Sequence, residues 1–340
     1  MDERAWLCAA LFGRAAGAQP NDLAALCRQE GVAALLYEAI GARAAIPDAI
    51  VRAHRGAVAW QLARSAAAKA ALASVSVPNL VLKGEALAYT CYAAPHLRPR
   101  EDLDLLFASE SDARTAAASL ASLGYALDPH SWLPGGSQFT LVGPDLHIDM
   151  HWQLGNHPIL GARLLFADLY ARRVQVSEPP MMVLHPVDAF MHAAIHRMSN
   201  AQIGAADRLI WLYDFVALAR RFNVVDYSTL VERAGAHALA APCLDAMAAC
   251  TRHFDWPWPA ATLSALSAAA ARERFRPERA ASRAYIETQA PSLWRRLVPD
   301  AAYMRARYRL THRGSLPLAY LRRWITGLKL LWRALKRSPR

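Results

Sequence analysis

Along the first 76 residues, apolar positions recur at helical spacing. In "NDLAALCRQEGVAALLYEAIGARA", Leu23, Leu26 and Cys27 fall on one face behind Asn21 or Asp22 as an N-cap. A second long helix is predicted from Ile50 to about Ser74. The pattern changes near Pro78. "NLVLKGEAL" is a short apolar run into Gly84, followed by a helix-like stretch to about Tyr92. "DLDLLF" reads as a strand, and "SESDARTAAASLASLGYAL" as an Asp/Ser-capped helix returning to a strand at Gly124. "SQFTLVG" and "DLHIDMHWQL" alternate polar and apolar residues around Gly143-Pro144, a hairpin signal. After Glu178-Pro179-Pro180 helical spacing resumes, over about 185–198, 203–222 and 226–239. The predicted organisation is an N-terminal helical region (1–76), a mixed α/β core (77–178), a C-terminal helical domain (179–300) and a tail (301–340). The fold class is α+β.

Composition narrows the possibilities. With 54% hydrophobic and 20% charged residues, a packed globular protein is expected. The five cysteines are scattered, odd in number and form no CxxC pair, which argues against a disulfide framework or a cysteine-rich zinc site. "MDERAWLCAALFGRAAGAQ" does not read as a signal peptide, because Asp2, Glu3 and Arg14 interrupt its pattern. No run reaches the roughly 18 apolar residues of a membrane-spanning helix. The expected location is therefore cytoplasmic or membrane-peripheral. The net charge of +11 arises in the tail: from Ala301 onward there are basic residues and no Asp or Glu. Residues 316–337 place Leu321, Trp324, Ile325, Leu328, Leu331, Trp332 and Leu335 on one side of a helical wheel and basic residues on the other. Such a helix can lie on an anionic membrane surface, grip RNA or dock on a protein partner. It can equally cover the domain core.

Candidate chemistry centres on "PREDLDLLF". In a strand Asp102 and Asp104 share one face while Leu103 and Leu105 point into the core. In "LHIDMHW", likewise, His147, Asp149 and His151 share one face. If the two strands are neighbours, Asp149 can lie about 4.5–5.5 Å from an aspartate opposite it. Three carboxylates that close repel in a partly dry cleft, and a divalent cation removes the repulsion. Hard oxygen ligands without cysteine favour Mg²⁺ or Mn²⁺ over zinc. Upstream, "LVLKGEA" is a strand ending in Lys83-Gly84 where a helix begins. Gly84 lets backbone N–H groups approach a phosphate, and Lys83 adds a full charge. A lone Asp-x-Asp on a solvated edge strand is the bland alternative.

"VLKGEALAYTCYAAPHLRPREDLDLLF", "LGYAL", "HIDMHWQL" and "LHPVDAFMHAAIHR", in this order, resemble the bacterial uncharacterised nucleotidyltransferase family of the DNA-polymerase-β-like superfamily. The resemblance spans about residues 30–240. It implies a polymerase-β-like nucleotidyltransferase core, a small mixed sheet with helices, flanked by N-terminal helices and a C-terminal helical domain. It also implies Asp102, Asp104 and Asp149 as catalytic and metal-binding triad, Mg²⁺ or Mn²⁺ as cofactor, and ATP or another NTP as substrate. Lys83 and Gly84 match the superfamily's phosphate loop. Glu85 stands where that loop has Ser or Gly, so a hydroxyl contact to triphosphate is lost and Lys83 is expected to replace it. Arg98 and Arg100 can bind triphosphate oxygens bidentately or stay as solvated loop residues.

Other signals carry less. His151 is expected to orient a carboxylate or touch nucleotide or acceptor, with His147 beside it. A zinc site at His147-x-Asp149-x-His151 is disfavoured because a strand presents the three in a row. "HAAIH" (His192 to His196) lacks the glutamate of a zincin helix, so these histidines, with His185, line the helical side of the cleft or simply pack. "RLIWLYDFVALARRF" reads as core, with Asp214 a partner for Arg208. The leading reading is an enzyme moving a nucleoside monophosphate from an NTP to a hydroxyl of a small molecule, peptide, protein or RNA. The alternatives are a catalytically inactive nucleotide-binding scaffold, and a membrane-peripheral or RNA-binding module acting through the tail.

Overall fold

The computed structural model describes residues 2–15, 17–41, 46–129, 131, 136–280, 301–308, 310 and 315–325. Helices α1 (Glu3–Ala10), α2 (Leu23–Glu30) and α3 (Ala33–Ile40) precede the long α4 (Asp48–Ser74). Asp22 is the N-cap of α2, its carboxylate accepting from the Ala25 N–H at 2.9 Å. The chain then enters β1 (Leu80–Val81), α5 (Lys83–Thr90) and β2 (Asp102–Leu106). Next come α6 (Glu110–Leu120), β3 (Ala126–Leu127), β4 (Gln138–Val142) and β5 (His147–His151). Ser109 caps α6, accepting from the Asp112 N–H. The predicted turn joins β4 to β5 through a Gly143 N–H···O=C Leu146 bond of 3.1 Å. The Tyr125 ring lies so close to Gly143 that a Cβ there would sit 2.3 Å from it.

Beyond α7 (Phe166–Ala171), strands β6 (Val174–Val176) and β7 (Met181–Val183) complete one seven-stranded mixed sheet, in the order β3-β4-β5-β2-β1-β7-β6. The sheet thus continues past residue 178, because β7 pairs in parallel with β1, Val81 opposite Val183. The remaining helices are α8 (Pro186–Gln202), α9 (Leu209–Ala219), α10 (Val224–Ala236), α11 (Ala240–Phe254), α12 (Ala260–Ala270) and α13 (Ala301–Tyr308). The helix expected from 203 begins at Leu209. Gly204, left-handed at φ 76°, terminates α8, and the chain is irregular until Arg208.

Period-two alternation divides the sheet between two cores. Leu103, Leu105, Phe107, Ile148 and Met150 face α6 and the C-terminal half of α4, against Ala113, Ala116, Leu120, Ala68 and Ala71. Leu80, Leu82 and Leu106 face the other way, into a core shared by α1–α3 and α8–α11. Trp6, Leu7 and Leu36 there join Phe190, Phe215 and Phe254. The N-terminal and C-terminal helical segments therefore pack as one body over the aspartate face. At about 1.5–3 kcal/mol for each buried large apolar side chain, this shared core holds α8 rigidly above the carboxylates.

No described helix is long and apolar enough to cross a membrane. Of the tail, residues 316–325 are helical, with Leu318, Leu321, Trp324 and Ile325 exposed. The predicted amphipathic face from Leu328 to Leu335 lies outside the described residues.

Candidate active site

Parallel pairing of β2 with β5 puts Asp102 opposite His147, Asp104 opposite Asp149, and Leu106 opposite His151. One ligand atom each of Asp104, Asp149 and His151 lies within 4.8 Å of the other two. Asp104 is the buried centre. Its Oδ1 accepts from Lys83 Nζ at 2.5 Å and lies 2.8 Å from His151 Nε2. Asp149 is half-buried and accepts from Thr140 Oγ1 at 2.6 Å, Thr140 being its opposite number on β4. Asp102 lies on the same face, half-buried, at the start of β2. His147 is exposed.

Lys83 reaches Asp104 because of its backbone. A Leu82 N–H···O=C Asp104 bond of 2.9 Å ties the end of β1 to β2. Lys83 then takes the left-handed conformation, φ 48°, and opens α5. This is a costly conformation for a side-chain-bearing residue, and such strain clusters at functional sites. Gly84 follows under tight constraint: a Cβ there would lie 3.0 Å from Arg100 Cβ and 3.4 Å from Arg98 Nη1.

The electrostatics follow from this crowding. Burial alone would raise the Asp104 carboxyl, but the Lys83 ammonium and His151 imidazole hold it well below the usual carboxylate range. The Lys83 ammonium is raised against its own burial by Asp104 and, less, by Asp102 and Asp149. Asp102 is raised by burial first and then by Asp104. Facing them from α8, His192 is driven well below its ordinary value, by burial first and then Lys83. His196 is pushed down to about 3 by the same causes.

A cavity of about 790 Å³ opens over this face. Lys83, Gly84, Asp102 and Asp104 line its sheet side, and His192, His196, Trp60 and Trp211 line its helical side. Asp149, His147 and His151 lie beyond its wall, on the adjoining strand. His185 is elsewhere, its Nδ1 accepting from the Val187 N–H at the start of α8.

Arg98 and Arg100 also line the cavity, with their guanidinium donors committed to the protein. Arg98 grips Asp214 on α9 through Nε and Nη2, both at 2.8 Å. Tyr92 donates to the same carboxylate at 2.6 Å. Asp214 thus serves Arg98 rather than Arg208, whose Nε donates to the Gln29 carbonyl. Arg100 donates from Nε to Glu85 at 2.5 Å and from Nη1 to the Pro95 carbonyl at 2.9 Å. Glu85 is buried at 1% exposure, with Arg64 Nε 3.5 Å away. Arg64 in turn donates to the carbonyls of Glu101 and Asp102, fixing the entry to β2. Glu85 therefore points inward as the anchor of a buried ionic network. Neither that role nor those of Thr140 and Asp214 is visible in local sequence pattern.

Asp104 and Asp149 converge from paired strands with Asp102 on the same face, and their carboxylate oxygens are the donors a hard divalent cation takes. His151 Nδ1 is buried without a hydrogen-bond partner among the described residues, and its ring is held by its contact to Asp104. The site thus lies under the helical cover of a mixed sheet, beside a Lys-Gly turn, in an α+β protein. The sequence model described as "Uncharacterised nucleotidyltransferase" matches residues 16–255, and the chain belongs to that family. Membership makes nucleotidyl transfer the general activity and implies an NTP substrate. No curated protein matches the chain.

Proposed function

We propose that the chain is a divalent-metal-dependent enzyme that moves a nucleoside monophosphate from ATP or another NTP to an acceptor hydroxyl and releases pyrophosphate. The observation that carries this reading is the in-register pairing of Asp104 with Asp149, with Lys83 seated on Asp104. Asp102, Asp104 and Asp149 would hold Mg²⁺ or Mn²⁺, which when bound neutralises phosphate charge and lowers the pKa of the attacking hydroxyl.

The chain's own residues supply the rest. Asp149, oriented by Thr140, accepts the acceptor's proton as its oxygen bonds to the α-phosphorus and the bond to the bridging oxygen breaks. Lys83 supplies positive charge to the leaving pyrophosphate, and Gly84 keeps the backbone there free of a side chain. Arg98 and Arg100 hold that wall of the cavity rigid through Asp214 and Glu85. His151 fixes Asp104, and His147 stands at the exposed end toward the acceptor. Trp60, 53% exposed on the cavity wall, offers a face for the nucleobase.

Incubation with labelled NTPs, Mg²⁺ or Mn²⁺ and a pool of small molecules, peptides and RNA, read by mass spectrometry, tests this. Labelling that survives Asp104→Ala refutes it. A second reading gives the tail a docking role on an anionic membrane, RNA or protein, drawing on the exposed Leu318, Leu321, Trp324 and Ile325. Deleting residues 315–340 should then abolish docking and leave NTP binding intact.

A further inference from the structure

Away from the sheet, three elements of the helical body converge on a second ligand-rich cluster. Glu38 lies on α3, His54 on α4, and His96 on the 3-10 turn Pro95–Leu97. One ligand atom from each lies within 4.8 Å of the other two. His54 Nε2 is 3.5 Å from Glu38 Oε1. Around a tetrahedral zinc ion with bonds of about 2.0–2.1 Å, neighbouring ligand atoms stand about 3.4 Å apart. That pair therefore already has the spacing of two ligands on one ion.

The ring geometry is equally constrained. Tyr37 stacks on His54, centroids 4.1 Å apart and planes at 23°, which fixes the imidazole orientation. His96 meets His54 edge to face at 5.1 Å. The Nε2 atoms of both histidines are buried and have no hydrogen-bond partner among the described residues. Buried ring nitrogens are normally satisfied, and two orphans on adjacent imidazoles beside a carboxylate call for a shared partner. The 3.5 Å approach of Glu38 to His54 falls short of a hydrogen bond, and packing on Tyr37 supplies no partner for His96 Nε2.

We propose that Glu38, His54 and His96 form a binding site for a transition-metal ion of the Zn²⁺ class, distinct from the aspartate face of the sheet. Two imidazoles and one carboxylate are the donors such an ion prefers, and they leave its fourth position for water or a substrate atom. His96 also lines the cavity, so the cluster borders it. The ion would tie α3 and α4 to the turn that runs directly into Arg98 and Arg100. The inference stands independently of the nucleotidyl-transfer reading.

The test uses the full chain carrying Asp104→Asn, which weakens the aspartate cluster as a competing site. After chelator treatment and Zn²⁺ loading, elemental analysis of the gel-filtered protein should find about one zinc per chain. Co²⁺ loading should give the strong visible bands of a tetrahedral site. Glu38→Gln and His96→Gln should each weaken Zn²⁺ affinity at least tenfold and diminish those bands. Glu38 is exposed, so Glu38→Gln should keep the metal-free urea midpoint; should His96→Gln fail to fold, Glu38→Gln decides alone. Absence of bound zinc, or unchanged affinity in Glu38→Gln, overturns the proposal.

Discussion

Asp104 and Asp149 face each other across neighbouring parallel strands, one buried and fixed by Lys83 and His151, the other half-buried and steered by Thr140. The two acids thus have unequal surroundings. Asp104 is held ionised by the Lys83 ammonium, while Asp149 keeps a more open position from which it can meet a reactant. Asp104→Asn and Asp149→Asn should each lower nucleotidyl transfer by about 10³-fold or more, the equivalent of about 4 kcal/mol of transition-state stabilisation. Steady-state kinetics with a labelled NTP measures this, and a loss below tenfold in either variant refutes the assignment.

Charge and backbone strain can be separated at Lys83. Lys83→Ala and Lys83→Gly both remove the ammonium and should cut kcat/KM about 10²–10³-fold, as loss of a preorganised charge does. Only glycine relieves the left-handed backbone. Lys83→Gly should therefore be more stable than Lys83→Ala by about 1 kcal/mol in urea titration. Equal stability of the two would show that the conformation carries no strain.

The position after Gly84 invites a misleading experiment. Glu85→Ser restores the superfamily's hydroxyl, yet it strips Arg100 and Arg64 of a buried carboxylate. Removing one partner from a buried pair costs about 3–5 kcal/mol. We expect Glu85→Ser to lower stability by that order in chemical denaturation and to gain no activity. A more active, equally stable variant would overturn the role of Glu85 as anchor.

Acid sensitivity should run through His157. It is buried, and its Nδ1 accepts from the backbone N–H groups of Ile159 and Leu160 at 3.2 and 3.3 Å. Burial pushes its imidazole down to about 4 from the ordinary 6.5. Between those two values the unfolded chain binds a proton that the folded chain does not. Stability therefore rises with pH across this window and gains nothing further above 6.5; the full span is worth about 3 kcal/mol. Asparagine can accept the same backbone bonds without titrating. His157→Asn should therefore show a shallower loss of urea stability between pH 7 and pH 5 than the wild type.

On the cavity wall, Trp60→Ala should weaken NTP binding by about 1–3 kcal/mol if a base stacks on it. Fluorescence titration with a non-hydrolysable NTP checks this, and an unchanged Kd removes Trp60 from the nucleotide site.

Much of this arrangement is legible in the sequence. Strict alternation around Asp102, Asp104 and Asp149 fixes which residues share a face, and Gly143-Pro144 marks the β4–β5 turn. Capping by Asp22 and Ser109 follows from local pattern as well. The parallel contact of β2 with β5 does not, since nothing near either strand encodes a partner so distant in sequence. The same holds for the pairs Arg98–Asp214 and Arg100–Glu85: an arginine in a loop looks solvated until the distant carboxylate is known. The extension of the sheet to Val183 was hidden for a similar reason, because β6 and β7 are only three residues each and alternate too briefly to register.

The segment between Leu106 and His147 packs its helix on the side of the sheet away from the acids. The length of that helical part is therefore uncoupled from the separation of Asp104 and Asp149, whereas β4 in the same segment is tied to it through Thr140. Residues added at the turns that flank α6 would leave the acidic pair in place. A single residue inserted between His147 and Ile148 is another matter, for it would turn Ile148 and Met150 toward the acidic face of the sheet and bury Asp149 in the opposite core.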